Sequence, residues 1–254
     1  SHQIANSCRF SGTLSSLDGT HYMKQVRGTP TNAKKCTISA WVKRSSLGTK
    51  DQMFTGGGIY GSNDCWFGFK SDNKFYLAQN IGGAGGQAPS LKSDDVFRDT
   101  GAWYHIVLAF DSTQSTAADR NKIYINGVQY TDWVTNTTDA TLNRDFVVNT
   151  SGNTLFVGSG GASEGNSYYP FSGYIAEYVF IDGTQYEASD FGETVNGVWQ
   201  PKDPSGLTFG NNGAYLKFES SGDLGNDSSG NNNDFTVTGV AAHDQMGDSP
   251  TFSA

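Results

Sequence analysis

Cysteine is scarce in this 254-residue chain, which has three cysteines and no C-x-x-C pair. Three dispersed thiols cannot form the disulfide framework of a small secreted domain. The odd count favours three buried thiols in a protein that folds in a reducing compartment. Pairing of any two of Cys8, Cys36 and Cys65 stays an open alternative, with Cys8 and Cys36 as the first candidates.

Basic residues are also few, with 17 Lys and Arg against 25 Asp and Glu, a formal net charge of −8. Binding to nucleic acid requires clustered positive charge to neutralise phosphates. The densest basic pairs are Lys34-Lys35 and Lys43-Arg44, which are typical of solvated strand ends. We therefore expect no nucleic-acid partner.

Long apolar runs are missing. No stretch approaches the roughly 20 apolar residues of a membrane-spanning helix. The first residues, Ser1–Asn6, have neither the charged nor the apolar region of a signal peptide. We expect no membrane insertion, no transmembrane segment and no signal peptide in this sequence.

Catalytic motifs are missing as well. The four histidines are dispersed without a zinc-binding spacing, and no G-x-S-x-G elbow occurs. Glycosidases place two carboxylates around the scissile bond. Glu177 and Asp182 share a predicted strand but are five residues apart, so they should point to opposite faces. We expect no catalytic residues, and we expect His105 and Glu177 to be buried, hydrogen-bonded structural groups.

Short strands separated by turns account for most of the sequence. Glycine contributes 32 residues that punctuate apolar runs, a pattern typical of many-stranded sandwiches. Alternation over Thr37–Lys43 predicts a strand buried on one face, and the apolar run Trp103–Asp111 predicts a strand inside its sheet. Asn126-Gly127 between two such runs predicts a tight hairpin.

Four segments resemble strands and turns of laminin-G-like domains. Trp103–Val107 resembles the W-x-H-V strand, and Lys122–Gly127 is similar to the L-Y-V-N-G hairpin. Phe171–Val179 is similar to the F-x-G-x-I-D-E-V strand, and Asp227–Asp234 to the D-S-S-G-N-G-N segment. The resemblance covers roughly residues 8 to 240. It implies an all-β fold, a two-sheet antiparallel jelly-roll sandwich of the concanavalin-A-like type.

The order of the segments resembles a circular permutation of that fold. Tyr215–Glu219 and Asp227–Phe235 ordinarily precede segments such as Leu17–Tyr22 and Thr37–Lys43, whereas here they come last. We expect one sandwich domain over residues 1–243, with a surface excursion at 192–212. Residues 244–254 are expected to form a polar C-terminal tail.

Further segments are similar to structural proteins of marine tailed phages. They are Phe191–Thr194, Trp199–Lys202 and Asp248–Thr251, together with the permuted order. This resemblance implies a non-enzymatic virion surface protein, a tail fibre, adhesin or capsid decoration, that is assembled in the host cytoplasm. Its implied partners are other virion subunits, further copies of itself and a host surface glycan. A purely structural virion subunit, an unrecognised polysaccharide hydrolase and a secreted lectin are the alternatives.

One oxygen-rich turn is a candidate metal site. Hard cations such as Ca²⁺ take six to eight oxygen ligands from carboxylates, amides and carbonyls. Asp227, Asn231, Asn233 and Asp234 supply such oxygens around a glycine. The alternative is that these side chains only form Asx-turns that hold a corner of the fold.

Three loops combine aromatic rings with polar groups, the mixture that a sugar-binding site requires. The first contributes Tyr60, Asp64 and Trp66, and the second contributes Asn166, Tyr168 and Tyr169. Trp133 with Asn136 and Asp139 forms the third of them. We expect Tyr168 and Tyr169, which stand between Gly/Asn-rich sequence and Pro170, to be exposed. Their candidate roles are glycan contact, a subunit interface and local packing.

Overall fold

The computed structural model describes residues 2–12, 21–48, 50–59, 62–81, 87–134, 137–163 and 166–250. Leu17–Thr20 and Tyr60 lie outside the described residues. Short 3₁₀ turns are the helical elements of the described part, at Ala117–Arg120, Val147–Asn149, Ala188–Asp190, Pro204–Gly206 and Ala242–Asp244. None of the helices there is long and apolar enough to cross a membrane. In chain order the strands are β1 (Ser7–Ser11), β2 (Tyr22–Val26), β3 (Lys35–Arg44), β4 (Gln52–Ile59), β5 (Asn63–Phe69), β6 (Lys74–Asn80), β7 (Gln87–Val96), β8 (Tyr104–Asp111), β9 (Asn121–Ile125), β10 (Val128–Gln129), β11 (Thr154–Val157), β12 (Gly161–Ser163), β13 (Asn166–Tyr168), β14 (Ser172–Asp182), β15 (Gly192–Val195), β16 (Val198–Pro201), β17 (Ala214–Leu216), β18 (Thr236–Thr238) and β19 (Gln245–Met246).

Two large antiparallel sheets form a sandwich, which confirms the predicted fold class. Sheet 1 has the order β10-β9-β8-β3-β14-β1-β19, with β17 also paired to β14, and sheet 2 has the order β18-β2-β11-β4-β5-β6-β7. Strand β8 lies inside sheet 1, as its apolar sequence predicts. The main core fills the space between the sheets with alternate side chains of their strands, among them Ile38, Phe67, Leu108 and Phe180.

The predicted hairpin at Asn126-Gly127 is confirmed. Asn126 and Gly127 have φ of 50° and 82°, the left-handed pair that a two-residue hairpin turn requires, and they join β9 to β10. A side chain at Gly127 would also collide with the indole of Trp199, whose nearest atom lies 2.4 Å from the ideal Cβ position. Glycine is therefore required here both by the backbone and by the packing of a third layer on the sheet.

That third layer covers the side of sheet 1 that faces away from the main core. The hairpin β15–β16 lies within the predicted surface excursion, and it carries Trp199 onto this face. A second apolar cluster forms there, including Val107, Val179, Phe191 and Phe209. The prediction that β3 is buried on one face only is wrong, since Thr37, Ser39 and Trp41 on its other face are also buried.

The C-terminal segment supplies strands to both sheets, as the predicted permutation requires. Strand β17 pairs with β14, β18 pairs with β2, and β19 pairs with β1. The permutation relative to laminin-G-like domains stays a prediction, because it concerns the strand order in those relatives.

The expected domain boundary at residue 243 needs a correction. Residues 244–250 belong to the sandwich, whereas 251–254 lie outside the described residues. Asp244 is fully buried and accepts hydrogen bonds from the guanidinium of Arg9 at 2.9 and 3.1 Å. The hydroxyl of Ser249 donates to the carbonyl of Ile4 at 2.6 Å. The polar composition of the segment did not indicate that it packs on the sandwich, because strand pairing and ion pairs hold it there rather than apolar side chains.

A bulge in β14 changes which side chains face the core. Between Ala176 and Val179 the pairing with β3 slips by one residue, and Glu177 adopts a φ of 49°. Simple alternation would place Ile175, Glu177, Val179 and Ile181 on one face. Instead, Ile175 lies in the main core, whereas Val179 and Ile181 lie in the third layer.

All three cysteines are buried and carry free thiols. Burial raises the pKa of each thiol, which keeps it protonated and unreactive at neutral pH. The expectation of three buried thiols is confirmed, and Cys8 and Cys36 do not pair.

Candidate functional site

The outer face of sheet 2, on the side opposite the main core, presents Trp66. In β5 the side chains of Cys65, Phe67 and Phe69 enter the core, so Trp66 and Gly68 between them face outward. Trp66 pairs laterally with Gly56 on β4 and with Ala78 on β6. Both lateral neighbours are small, and the indole is partly buried.

The β12–β13 hairpin brings the second predicted loop to this tryptophan. The ring of Tyr169 meets Trp66 edge to face, with 6.1 Å between ring centroids and 87° between the planes. Met53 donates its backbone N–H to the carbonyl of Tyr169 at 2.9 Å, and Gly160 donates to that of Tyr168 at 2.9 Å. These backbone hydrogen bonds fix the main chain at both tyrosines, and the ring contact places Tyr169 beside Trp66.

The predicted exposure of Tyr168 and Tyr169 is only partly met, since both side chains are partly buried. Tyr169 has a φ of 53°, so its backbone is left-handed where the chain turns from β13 toward β14. Local packing accounts for part of their role, as the contact between Tyr169 and Trp66 demonstrates. The structure joins residues that are 103 positions apart in the sequence into one aromatic group.

Polar groups lie beside this aromatic group on the same face. Asp64 pairs laterally with Asn80, two residues along from Trp66 and Ala78. Asp64 is 2% exposed and Asn80 is 7% exposed. The side-chain oxygen of Asn80 is buried and accepts no hydrogen bond from the described residues. An acceptor in this position is suited to a ligand hydroxyl or a bound water.

Asn80 and Tyr76 were not among the predicted site residues, although alternation along β6 places both on the face of Trp66. Tyr76 pairs laterally with Lys92 of β7, and the ammonium of Lys70 lies 4.9 Å above its ring centre. Period-2 alternation with the core residues Phe75 and Leu77 was the signal that could have found both. Of the other predicted residues, Asn166 belongs to β13, but the structure does not describe its side chain. Tyr60 lies outside the described residues.

The candidate metal residues come together in one corner, where their side chains are engaged with the protein. One carboxylate oxygen of Asp227 accepts the backbone N–H groups of Tyr215 and Ser229, each at 2.8 Å. Its other oxygen accepts the hydroxyl of Ser229 at 2.7 Å and the N–H of Asn233 at 2.9 Å. This geometry is that of Asx-turns that hold a corner.

The amides of the same corner point their N–H groups inward. Asn231 and Asn233 both donate to the carbonyl of Gly213, at 3.0 and 2.8 Å. Asp234 accepts the N–H of Asp227 at 2.8 Å. Within the described ranges no group of three or more His, Cys, Asp or Glu is arranged to hold a metal ion. Calcium binding at this corner stays a prediction.

His105 is a buried structural histidine, as expected. Its Nδ1 accepts the indole N–H of Trp199 at 2.9 Å, so the ring proton resides on Nε2, 2.9 Å from the hydroxyl of Ser39. The ring stacks on Trp41, with 4.6 Å between ring centroids, and Trp199 lies nearly coplanar at its edge. Burial lowers the pKa of His105 to about 3, so the ring is neutral at physiological pH.

Glu177 and Asp182 are separated by the fold. Glu177 lies in the β14 bulge on the third-layer side, where it is 6% exposed and contacts Nε2 of His2 at 2.8 Å. Asp182 accepts the backbone N–H groups of Thr31, Asn32 and Asn212. Both carboxylates are thus committed to structural hydrogen bonds, at different places.

The fold is of a known type. The sequence profile of the Concanavalin A-like lectin/glucanases superfamily matches residues 17–184, more than half of the chain. The chain belongs to this superfamily. The superfamily's description names both lectins and glucanases, so membership leaves the choice between binding and catalysis to the site. No curated protein matches the sequence closely enough to count as a relative.

Solved structures of similar fold come from an animal and from a bacterium. The native heptameric SAP-like pentraxin of Limulus polyphemus is 14% identical, with a TM-score of 0.51 over 73% of this chain and 80% of that chain. A candidate carbohydrate-binding protein of Bacteroides ovatus ATCC 8483 is 16% identical, with a TM-score of 0.61 over 94% of this chain and 60% of that one. At these identities the likeness establishes the concanavalin-A-like fold alone.

Proposed function

We propose that this superfamily member is a non-enzymatic glycan-recognition protein of a virion surface, and that it binds saccharide on the outer face of sheet 2. The observation that carries the proposal is the partly exposed indole of Trp66 between Gly56 and Ala78, with Tyr169 packed edge-on beside it. A flat ring with small lateral neighbours suits the apolar face of a sugar ring.

Polar groups on the same face as the indole support a saccharide ligand over a purely apolar one. Asp64 and Asn80 lie on the same face, two residues along their strands from Trp66 and Ala78, and the oxygen of Asn80 has no hydrogen-bond donor among the described residues. Sugar recognition combines such stacking with hydrogen bonds to hydroxyls. Tyr168 is included in the proposed site, and Tyr60 and Asn166 stay contacts proposed from the sequence alone.

A binding role is favoured over hydrolysis by the engagement of the candidate catalytic groups. Glu177 contacts His2, Asp182 accepts backbone N–H groups, and neutral His105 is enclosed by two tryptophans. None of the three side chains reaches the Trp66 face, because all belong to strands of sheet 1.

The virion role rests on the sequence resemblance alone. It covers a tail fibre, an adhesin or a capsid decoration, with other virion subunits and copies of this chain as partners. A purely structural virion subunit is the competing role, in which Tyr168 and Tyr169 contact a neighbouring subunit.

Binding of the purified protein to an array of glycans and bacterial envelope polysaccharides tests the proposal. We expect reproducible binding that falls at least tenfold in W66A and in Y169A. W103A is the matched control, because Trp103 is a partly buried tryptophan on sheet 1, remote from the Trp66 face. A silent array with natively folded protein, or W66A binding as tightly as the unaltered protein, would overturn the proposal.

A further inference from the structure

A second cleft opens at one end of the sandwich, separate from the Trp66 face. Its volume is about 350 Å³. It lies between the start of β3 in sheet 1, the start of β5 and the end of β6 in sheet 2, and the connecting segment 143–153. We call it the end cleft; the polar residues that line it include Lys34, Asn63, Asn143, Arg144, Asp145 and Asn153.

Hydrogen bonds fix the wall of the end cleft to both sheets. On the side of sheet 1, Asn143 donates its N–H to the carbonyl of Ser112 at 2.8 Å, and the hydroxyl of Ser112 donates to the carbonyl of Arg144 at 2.6 Å. On the side of sheet 2, Gln79 accepts the N–H of Val147 at 2.7 Å. Because the backbone is anchored at both ends, the cleft exists before any ligand arrives.

The charge of the end cleft is opposite to that of the whole protein. Lys34 and Arg144 contribute two positive charges and Asp145 one negative charge, in a chain whose formal net charge is −8. The ammonium of Lys34 lies 3.2 Å from the carboxylate of Asp145. The guanidinium of Arg144 forms no hydrogen bond or ion pair with any residue that the structure describes, so its planar set of donors is available.

We propose that the end cleft binds the carboxylate of an acidic saccharide, with Arg144 as the principal anion ligand and Lys34 as a second cation. A guanidinium presents two parallel N–H donors that match a carboxylate. Asn143 supplies an amide suited to sugar hydroxyls, as does the side-chain oxygen of Asn153, whose amide N–H donates to the carbonyl of Val147 at 2.9 Å. The volume fits one or two sugar rings at the lower end of ligand-site sizes. The inference deepens the proposed function and rests on it for the saccharide part of the ligand.

Titration of the isotope-labelled full chain with D-glucuronate, D-glucose and inorganic sulfate, followed by amide NMR, tests this inference. We expect saturable shifts of the Arg144 and Val147 amides with glucuronate, and none with glucose. The double variant K34Q/R144Q should bind glucuronate with an affinity at least tenfold lower than the unaltered protein. The matched control K50Q/R98Q removes the same charges at exposed positions elsewhere and should respond like the unaltered protein.

Absence of a saturable shift at those amides in folded protein would overturn the inference, as would an equal response to glucose. An equal response to sulfate would overturn the saccharide assignment, because it indicates a simple anion site. The indole N–H signal of Trp66 in the same spectra reports on the other face. A shift of this signal with a glycan that binds on the array tests the proposed binding at Trp66, independently of any binding in the end cleft.

Discussion

His105 should make the stability of this protein sensitive to mild acid. Its ring is 1% exposed, and burial lowers its pKa from 6.5 to about 3. In the unfolded chain the imidazole binds a proton near pH 6.5, whereas in the folded chain it stays neutral. The unfolded state therefore binds more protons below pH 6.5, and stability is lost as the pH falls from that value toward 3.

The size of the effect follows from linkage between the two pKa values. Between pH 8 and pH 5 the single histidine should remove about 2 kcal/mol from the free energy of unfolding, and between pH 8 and pH 4 about 3 kcal/mol. A loss of this size is a large fraction of the total free energy of unfolding of a typical domain. Water cannot screen the charge, because Trp41 and Trp199 enclose the ring.

Urea denaturation at pH 8 and pH 5 measures the effect. The variant H105Q should be less stable at pH 8, since it loses ring packing, but its stability should fall by about 2 kcal/mol less on going to pH 5. H243Q is the matched control, because the side chain of His243 is 70% exposed. Ring NMR signals of His105 in the unaltered protein provide a second measurement that needs no variant.

Two results would refute the reasoning. One is an His105 ring that titrates near pH 6.5 in the folded protein, which would mean that it is solvated. The other is an H105Q variant with the same pH dependence as the unaltered protein.

Two other perturbations give equally specific outcomes. Burial raises the pKa of Glu177, and the hydrogen bond to Glu177 raises that of His2, so folding binds protons and the pair loses stability as the pH rises from about 4.5 to above 6.5. Glutamine cannot lose a proton, so E177Q should lack this pH-dependent loss. The melting temperature of E177Q minus that of the unaltered protein should therefore be more positive at pH 8 than at pH 4, and an equal value at both pH values would contradict this. D227A should lower the free energy of unfolding by about 3 kcal/mol, because it leaves several buried donors near Tyr215 and Ser229 without an acceptor; D223A, at an exposed acidic position, is the control. Chelator should leave the melting temperature unchanged if Asp227 is purely structural, whereas a lower melting temperature with loss of bound calcium would support the metal site.

The sequence determined the strands and their local turns, because those depend on nearby residues. Alternation over Thr37–Lys43 and the double-faced apolar run of β8 reflect side-chain periodicity, and Asn126-Gly127 determines the hairpin by its backbone preference alone. The engagement of His105 and the burial of three thiols also followed from composition and context.

The tertiary structure decided the features that depend on contacts between distant segments. The bulge at Glu177 shifts the faces of β14, and nothing in the alternation of that strand predicts it, because the extra residue is defined by the pairing with the distant strand β3. The third layer buries the outer side of β3 for the same reason, since Trp199 comes from a hairpin about 160 residues later. Trp66 and Tyr169 were each visible as candidates, but only folding brings their rings to 6.1 Å. The end cleft joins Lys34, Asn63 and Arg144 from three separate parts of the chain, so its charge and volume exist only once both sheets are packed.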